Sequence, residues 1–167
     1  MPADFSLVID ISGIDAYVSR VKQGLGKVVR TSGGNIEVRA KLAIQTGPKT
    51  GRVYGAETVV GFNTKYLESP VFVAHKGKKL GDDKVHQASA PGEAPANDFG
   101  KLAGSIHFDT IGETSGELVV DSEYGPPLEF GTEDGKIAPR PFIGPAVKEE
   151  RDDFLAAGMD VLRKAAS

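Results

Sequence analysis

The chain has 167 residues, 40% of them apolar and 26% charged, with a formal net charge of −3. That length and balance fit one globular domain able to bury its own core, and exclude a disordered chain. The absence of cysteine excludes disulfides and thiolate metal sites, and a net acidic chain lacks the clustered basic surplus that gripping duplex DNA requires.

Residues 4–11 alternate, with Phe5, Leu7, Ile9 and Ile11 on one side, which predicts a half-buried strand. Ser12 and Gly13 break it, and Ser12 is a candidate cap for the helix that follows. From Ile14 the period changes. Ile14, Tyr17, Val18, Val21, Leu25, Val28 and Val29, then Ile36, Ala40, Ala43 and Ile44, follow three-four spacing. One long amphipathic helix, or two broken near Ser32-Gly33-Gly34, fits this pattern. Gly24, Gly26, Gly33 and Gly34 each cost about 1 kcal/mol relative to alanine inside a helix. Packing against a closely approaching neighbour is therefore expected to hold it. Gly47-Pro48 ends the segment.

Residues 53–92 are less regular and read as an inserted hairpin or arm. Strand-like apolar runs lie at 59–64 and 66–75, where Pro70 favours an edge or bulge, and a polar tip lies at 76–84. Residues 86–98 are rich in proline, glycine and alanine, which predicts an extended crossing. Asn97 or Asp98 is a candidate cap for a short turn through Leu102. Residues 105–111 and 117–124 alternate as two antiparallel strands joined by a turn at 112–116. A brief helical turn with proline near its start is expected at 125–131. After a loop with Pro139, Pro141 and Pro145, a last helix runs from about Ala146 to Ala165, with Val147, Phe154, Leu155, Val161 and Leu162 as its expected buried stripe. The fold class is α+β: an antiparallel sheet packed by a long amino-terminal helix and a carboxy-terminal helix, with an extended loop or hairpin insertion, in a single domain over 1–167.

Three patterns with catalytic overtones give way to plainer readings. Gly47-Pro48-Lys49-Thr50-Gly51-Arg52 places a Lys-Thr pair among glycines. A phosphate-cradling loop needs glycine before the lysine and a strand before the loop; Pro48 and a helix stand there instead. His75, His86 and His107 are dispersed, with neither metal-ligand nor acid–base spacing. Glu149, Glu150, Asp152 and Asp153 spread around a helix near its positive end, as a solvated first turn does. No catalytic residue, cofactor or metal is expected, and the chain reads as a non-enzyme. A phosphate-handling enzyme using the Gly47–Arg52 loop is the alternative from another class. No apolar run approaches the roughly 20 residues that span a bilayer, and residues 1–13 lack the pattern of a secretory signal. A cytosolic protein, or one assembled there, is expected.

Two irregular segments, 86–106 and 124–147, combine rigid prolines with the aromatic residues Phe99, Tyr124, Phe130 and Phe142. They are either core-covering loops or docking surfaces, since proline lowers the ordering cost of a loop on binding. His86, Ser89, Pro91, Glu93, Pro95, Phe99, Tyr124, Glu129, Phe130, Arg140 and Phe142 are the candidate assembly-interface residues. Glu129 and Arg140 flank a turn and are candidates for a charge-assisted pair that fixes the loop, or for a contact to a neighbouring subunit. Phe130 and Phe142 are candidate buried anchors of such a contact, with packing in the subunit's own core the equal alternative for both.

Five motifs carry a resemblance. They are Gly47-Pro48-Lys49-Thr50-Gly51-Arg52, Pro91-Gly92-Glu93-Ala94-Pro95, the stretch from Asp98 to Ile106 (DFGKLAGSI), Tyr124 with Leu128-Glu129-Phe130-Gly131-Thr132, and Ala138-Pro139-Arg140-Pro141-Phe142-Ile143-Gly144-Pro145-Ala146. In this order and spacing, over nearly the whole chain, they resemble the tail-completion or head–tail joining family of siphophages, also described as minor tail or neck proteins. Phe99 departs from the family's usual threonine, and residues 53–85 exceed its usual link. The resemblance implies a structural virion protein of the neck, assembled in the host cytoplasm. It implies a homo-oligomeric ring, commonly a hexamer, between head connector and tail tube, through which DNA passes without specific binding. Its partners would be further copies of itself, a connector protein on the head side and a terminator or tube protein on the tail side, with no membrane. Tail-terminator and head-closure roles in the same neck are alternatives.

Overall fold

The computed structural model of the chain describes residues 12–54, 86–97 and 100–166. The expected strand at 4–11, the apolar runs and polar tip between 55 and 85, and Phe99 lie outside these residues. The fold is α+β, with a long amino-terminal helix, a carboxy-terminal helix and antiparallel two-stranded sheets.

The three-four pattern from Ile14 produces one unbroken helix, α1 (Ser12–Thr46). It does not break at Ser32-Gly33-Gly34, and three of its glycines, Gly24, Gly26 and Gly33, fall where neighbours press in. A side chain at Gly24 would meet Val161, one at Gly26 the carbonyl of Glu113, and one at Gly33 the ring of Phe108. The helix stops at Gly47, whose N–H donates to Ala43 O at 3.0 Å. Strand β1 (Val53–Tyr54) pairs antiparallel with β2 (His86–Gln87), and the ladder continues from Ala88 N to Arg52 O at 2.9 Å.

Helix α2 (Lys101–Gly104) follows Gly100, whose φ of 74° makes it the cap. Asn97 does not serve there as expected, and Asp98, the other candidate cap, lies outside the described residues. Strands β3 (Ile106–Gly112) and β4 (Ser115–Val120) form the predicted hairpin, with Ile106 opposite Val120 and Phe108 opposite Leu118. Its turn is tighter than 112–116, and β4 ends at Val120, so Tyr124 lies beyond the strand. Helix α3 (Gly125–Phe130) carries proline at its start, as its fixed φ allows. Helix α4 (Ile143–Ala166) begins three residues before the expected Ala146.

α1 runs antiparallel to α4 on one side and receives the hairpin on another. The core gathers at the carboxy-terminal end of α1, where Ala40, Ile44, Ala103, Ile106, Phe142 and Ala146 are buried together. Each of the large apolar side chains among them contributes about 1.5–3 kcal/mol by leaving water. α4 contributes small residues to the packing: Ala146 and Ala165 are buried, whereas Val147, Phe154, Leu155 and Leu162 stay exposed. The stripe expected to be buried is therefore corrected. A helix docked through alanine and Gly158, with Val161 pressed onto Gly24, approaches α1 too closely to enclose its larger apolar residues.

The Phe108 ring lies against Gly33 on α1 and over Gly116 on β4, so neither side has room for a methyl group. Gly33→Ala is expected to lose about 1–3 kcal/mol by overpacking. Gly34→Ala, which meets nothing within 4 Å, is expected to gain roughly 0.5–1 kcal/mol from helix propensity. Urea unfolding of the two variants checks both signs.

Candidate functional site

The motif residues meet at one corner, beside the carboxy-terminal end of α1 and the amino-terminal end of α4. Ala90-Pro91-Gly92-Glu93 is a type II turn. Glu93 N donates to Ala90 O at 3.1 Å and Gly92 has a φ of 84°, which is the reason for glycine after proline there. The turn aims the Glu93 carboxylate back at the segment leaving α1. It accepts from Thr50 N at 2.9 Å, Thr50 Oγ1 at 2.5 Å and Ala90 N at 2.8 Å. Lys49 reaches the end of α1, donating to Gly47 O at 2.9 Å and lying 3.5 Å from both Ala43 O and Ala94 O. A cation there sits at the negative end of the helix, where its charge is favourable, and donates to the carbonyl just beyond it. Burial lowers the Lys49 ammonium's pKa, and Glu93 acts against that shift.

Glu129, on α3, holds the start of α4. Its carboxylate accepts from the amides of Phe142 at 2.8 Å, Ile143 at 3.0 Å and Gly144 at 2.8 Å. A helix begins with N–H groups that lack partners and with positive potential, and one buried carboxylate answers both. The expected Glu129–Arg140 pair is corrected accordingly, since the three amides use the Glu129 oxygens. Arg140 turns elsewhere, Nε donating to Ser89 O at 3.3 Å and Nη1 to Ala138 O at 3.2 Å, while its amide donates to Leu128 O at 2.6 Å. Gly92 N donates to Pro139 O at 2.9 Å. The loop after α1, the type II turn, α3 and the segment entering α4 thus form one hydrogen-bonded framework.

Within it the candidate interface residues separate. Ser89, Pro95, Glu129 and Phe142 are buried inside the subunit. Glu93 and Arg140 are half-buried, and Pro91 is exposed. Tyr124 is 71% and Phe130 79% exposed, so Phe130 takes no part in the subunit's core, whereas Phe142 is packed within it. His86 contributes its backbone to β2, opposite Tyr54. The two exposed aromatics project from the ends of α3, whose inner side is fixed by Glu129.

A second polar cluster joins α1 to α4. Glu150 is 1% exposed. Its Oε1 accepts from Asn35 Nδ2 at 2.9 Å and its Oε2 lies 3.3 Å from Arg39 Nε. That second oxygen has no aligned hydrogen bond, so the guanidinium charge holds it. Arg39 also reaches Glu149 at 3.2 Å and Asp153 at 3.9 Å. The solvated acidic turn expected at 149–153 is corrected at Glu150, which is a buried partner of α1. A cleft of about 260 Å3 beside it is lined by Lys27, Val28, Thr31, Ser32, Asn35, Glu150, Asp153 and Ala157. His107 lies 3.3 Å from Asp109 and 3.7 Å from Asp121 on the hairpin. Among the described residues no group of three acids or histidines is placed to hold a metal.

The roles of Glu129 and Glu150 depend on partners far along the chain, and neither lies in a local capping or pairing pattern. The i, i+4 spacing of Asn35 and Arg39 facing the acids of α4 becomes meaningful only once the two helices are known to be antiparallel. Comparison with protein-family models, curated proteins and solved structures finds no match.

The Glu93 carboxyl is held below the ordinary glutamate range, first by the Thr50 hydroxyl and then by the Thr50 and Ala90 amides. A lowered carboxyl contributes stability that is complete above its unfolded value of about 4.3 and is lost as pH falls through the lower folded value. In an NMR titration the Thr50 and Ala90 amide signals are expected to hold down to that ordinary value and move together below it. In Glu93→Gln this acid transition is expected to disappear. Movement at or above the ordinary value in the unaltered protein would contradict the assignment.

Proposed function

We propose that this protein is a structural component of the neck of a long-tailed bacteriophage, of the tail-completion or head–tail joining kind. It forms a ring between head connector and tail tube, and DNA passes through without specific binding. The observation that carries the reading is the convergence of the resemblance motifs. The Lys49-Thr50 turn is tied to Glu93 of the second motif, whose Gly92 is tied to Pro139 of the fifth. Glu129 of the fourth motif caps the helix that opens in the fifth. From the third motif, Ala103 and Ile106 pack in the core with Phe142. Residues matched by five separate short patterns thus hold one another, as expected where the resemblance is one of fold.

A structural role also suits the chemistry. Lys49, the residue a phosphate-handling loop would need, caps α1, and the Glu129 and Glu150 carboxylates hold helices. The net charge of −3 favours a conduit that repels phosphate and does not retain it. Among the described residues no helix is long and apolar enough to cross a membrane.

Cryo-electron microscopy of purified particles tests the reading. The expected result is this chain in several copies, as a closed ring between connector and tube, with a lumen that is not basic. Particles lacking the chain, or carrying one copy that touches no like chain, overturn it. A ring with a basic lumen overturns the conduit argument.

A further inference from the structure

Two exposed apolar features stand apart on the subunit. One is the aromatic knob of α3, Tyr124 and Phe130. The other is a strip on α4, where Leu155 is 52%, Met159 52% and Leu162 39% exposed. These three positions follow i, i+4, i+7 spacing and so share one line on the helix. The buried residues Ala146, Glu150 and Ala165, together with Val161 against Gly24, occupy the side facing α1. At 3.6 residues per turn the strip lies well over 100° around from that side. It faces outward.

The surroundings of the two features are complementary. Acids flank the knob: Asp121 and Glu123 precede Tyr124, and Glu133 follows Phe130. Bases flank the strip: Lys148 and Arg151 continue its line towards the start of α4, and Arg163 sits one turn beyond Met159. Asp152 is the acid at its border. The knob cannot reach the strip of its own subunit, because Glu129 fixes α3 at the first turn of α4. Leu155 and Leu162 lie about 18 and 29 Å along the axis from Ile143, at roughly 1.5 Å per residue. An acidic aromatic knob and a basic-rimmed apolar strip, held apart on one rigid body, are the two halves of a head-to-tail contact.

We infer that the Tyr124–Phe130 knob of one copy docks on the Leu155–Met159–Leu162 strip of the next, making the subunit-to-subunit contact of the assembly. This deepens the ring reading above and rests on it. Burying Phe130 at the centre of such a contact removes from water the most exposed large apolar side chain among the described residues. The contact is heterologous, so it generates a ring when the rotation closes and a filament when it does not.

The chain contains no cysteine, which makes engineered cross-links unambiguous. Phe130→Cys and Met159→Cys proteins, mixed and oxidised at about millimolar concentration, are expected to give a disulfide dimer containing one of each. Either variant alone is expected to give several-fold less. Phe130→Asp or Leu155→Glu, each checked for an unchanged fold by circular dichroism, is expected to weaken self-association about thirtyfold, the loss of one central anchor. Equal cross-linking in each variant alone would show a symmetric face and overturn the inference, as would no cross-link in the mixture. A ring imaged in particles with the knob and strip apart overturns this contact while leaving the neck reading intact. Particles without the chain overturn the neck reading whatever the cross-linking shows.

Discussion

The subunit depends on a carboxylate at the start of a helix. Glu129 is buried at 9% exposure and accepts from three consecutive amides that begin α4. Those amides have no partner within the helix, and the first of them belongs to Phe142, which is 1% exposed, where an unmet buried donor costs about 1–3 kcal/mol. Fixing the first turn fixes the helix axis and hence where α4 lies along α1. It also fixes α3, so the residues on the outer side of that short helix, Tyr124 and Phe130, are presented rigidly. Capping and presentation follow from the same side chain.

The rest of the framework shows why the proline-rich crossings are ordered. Pro91-Gly92 makes the type II turn, the turn directs Glu93 to Thr50, and Lys49 answers the carbonyls at the end of α1. Each crossing is tied at both ends by directed hydrogen bonds and contributes little to the apolar core. The core itself is small, and α4 joins α1 largely through alanine, glycine and one buried acid held by Asn35 and Arg39. Close helix approach leaves the larger apolar residues of α4 outside. A subunit built this way keeps apolar surface outside, and the proposed contact with a second copy would cover it.

Much of the fold was legible in the residues. The helix from Ile14 to Ile44, the hairpin, the proline-led turn at 125–130 and the last helix all follow from local periodicity and turn chemistry. The continuity of α1 through Gly33-Gly34 was not decidable locally, because it depends on Phe108 filling the space that Gly33 leaves. The outward face of α4 escaped for a related reason. Sequence pattern marks Leu155 and Leu162 as apolar but does not say which side a helix buries, and here Gly24 and Val161 decide it. Phe142, Ser89 and Asn35, partners of Glu129, Arg140 and Glu150, lie 13, 51 and 115 residues away from them, too far for a local pattern to reveal. Exposed Phe130 and buried Phe142 look alike as aromatic residues in neighbouring loops, and only the position of α3 separates them.

Amide hydrogen exchange in Glu129→Ala, compared site by site with the unaltered protein, tests whether this one carboxylate holds the corner together. Loss of about 3 kcal/mol or more of protection is predicted at Phe142, Ile143 and Gly144, where a charged acceptor is removed. The same variant is predicted to lose protection at Gly92 and Arg140, whose acceptors Pro139 and Leu128 belong to the same framework. Loss confined to the first turn of α4, with Gly92 and Arg140 unchanged, would contradict the claim that one carboxylate holds the corner together.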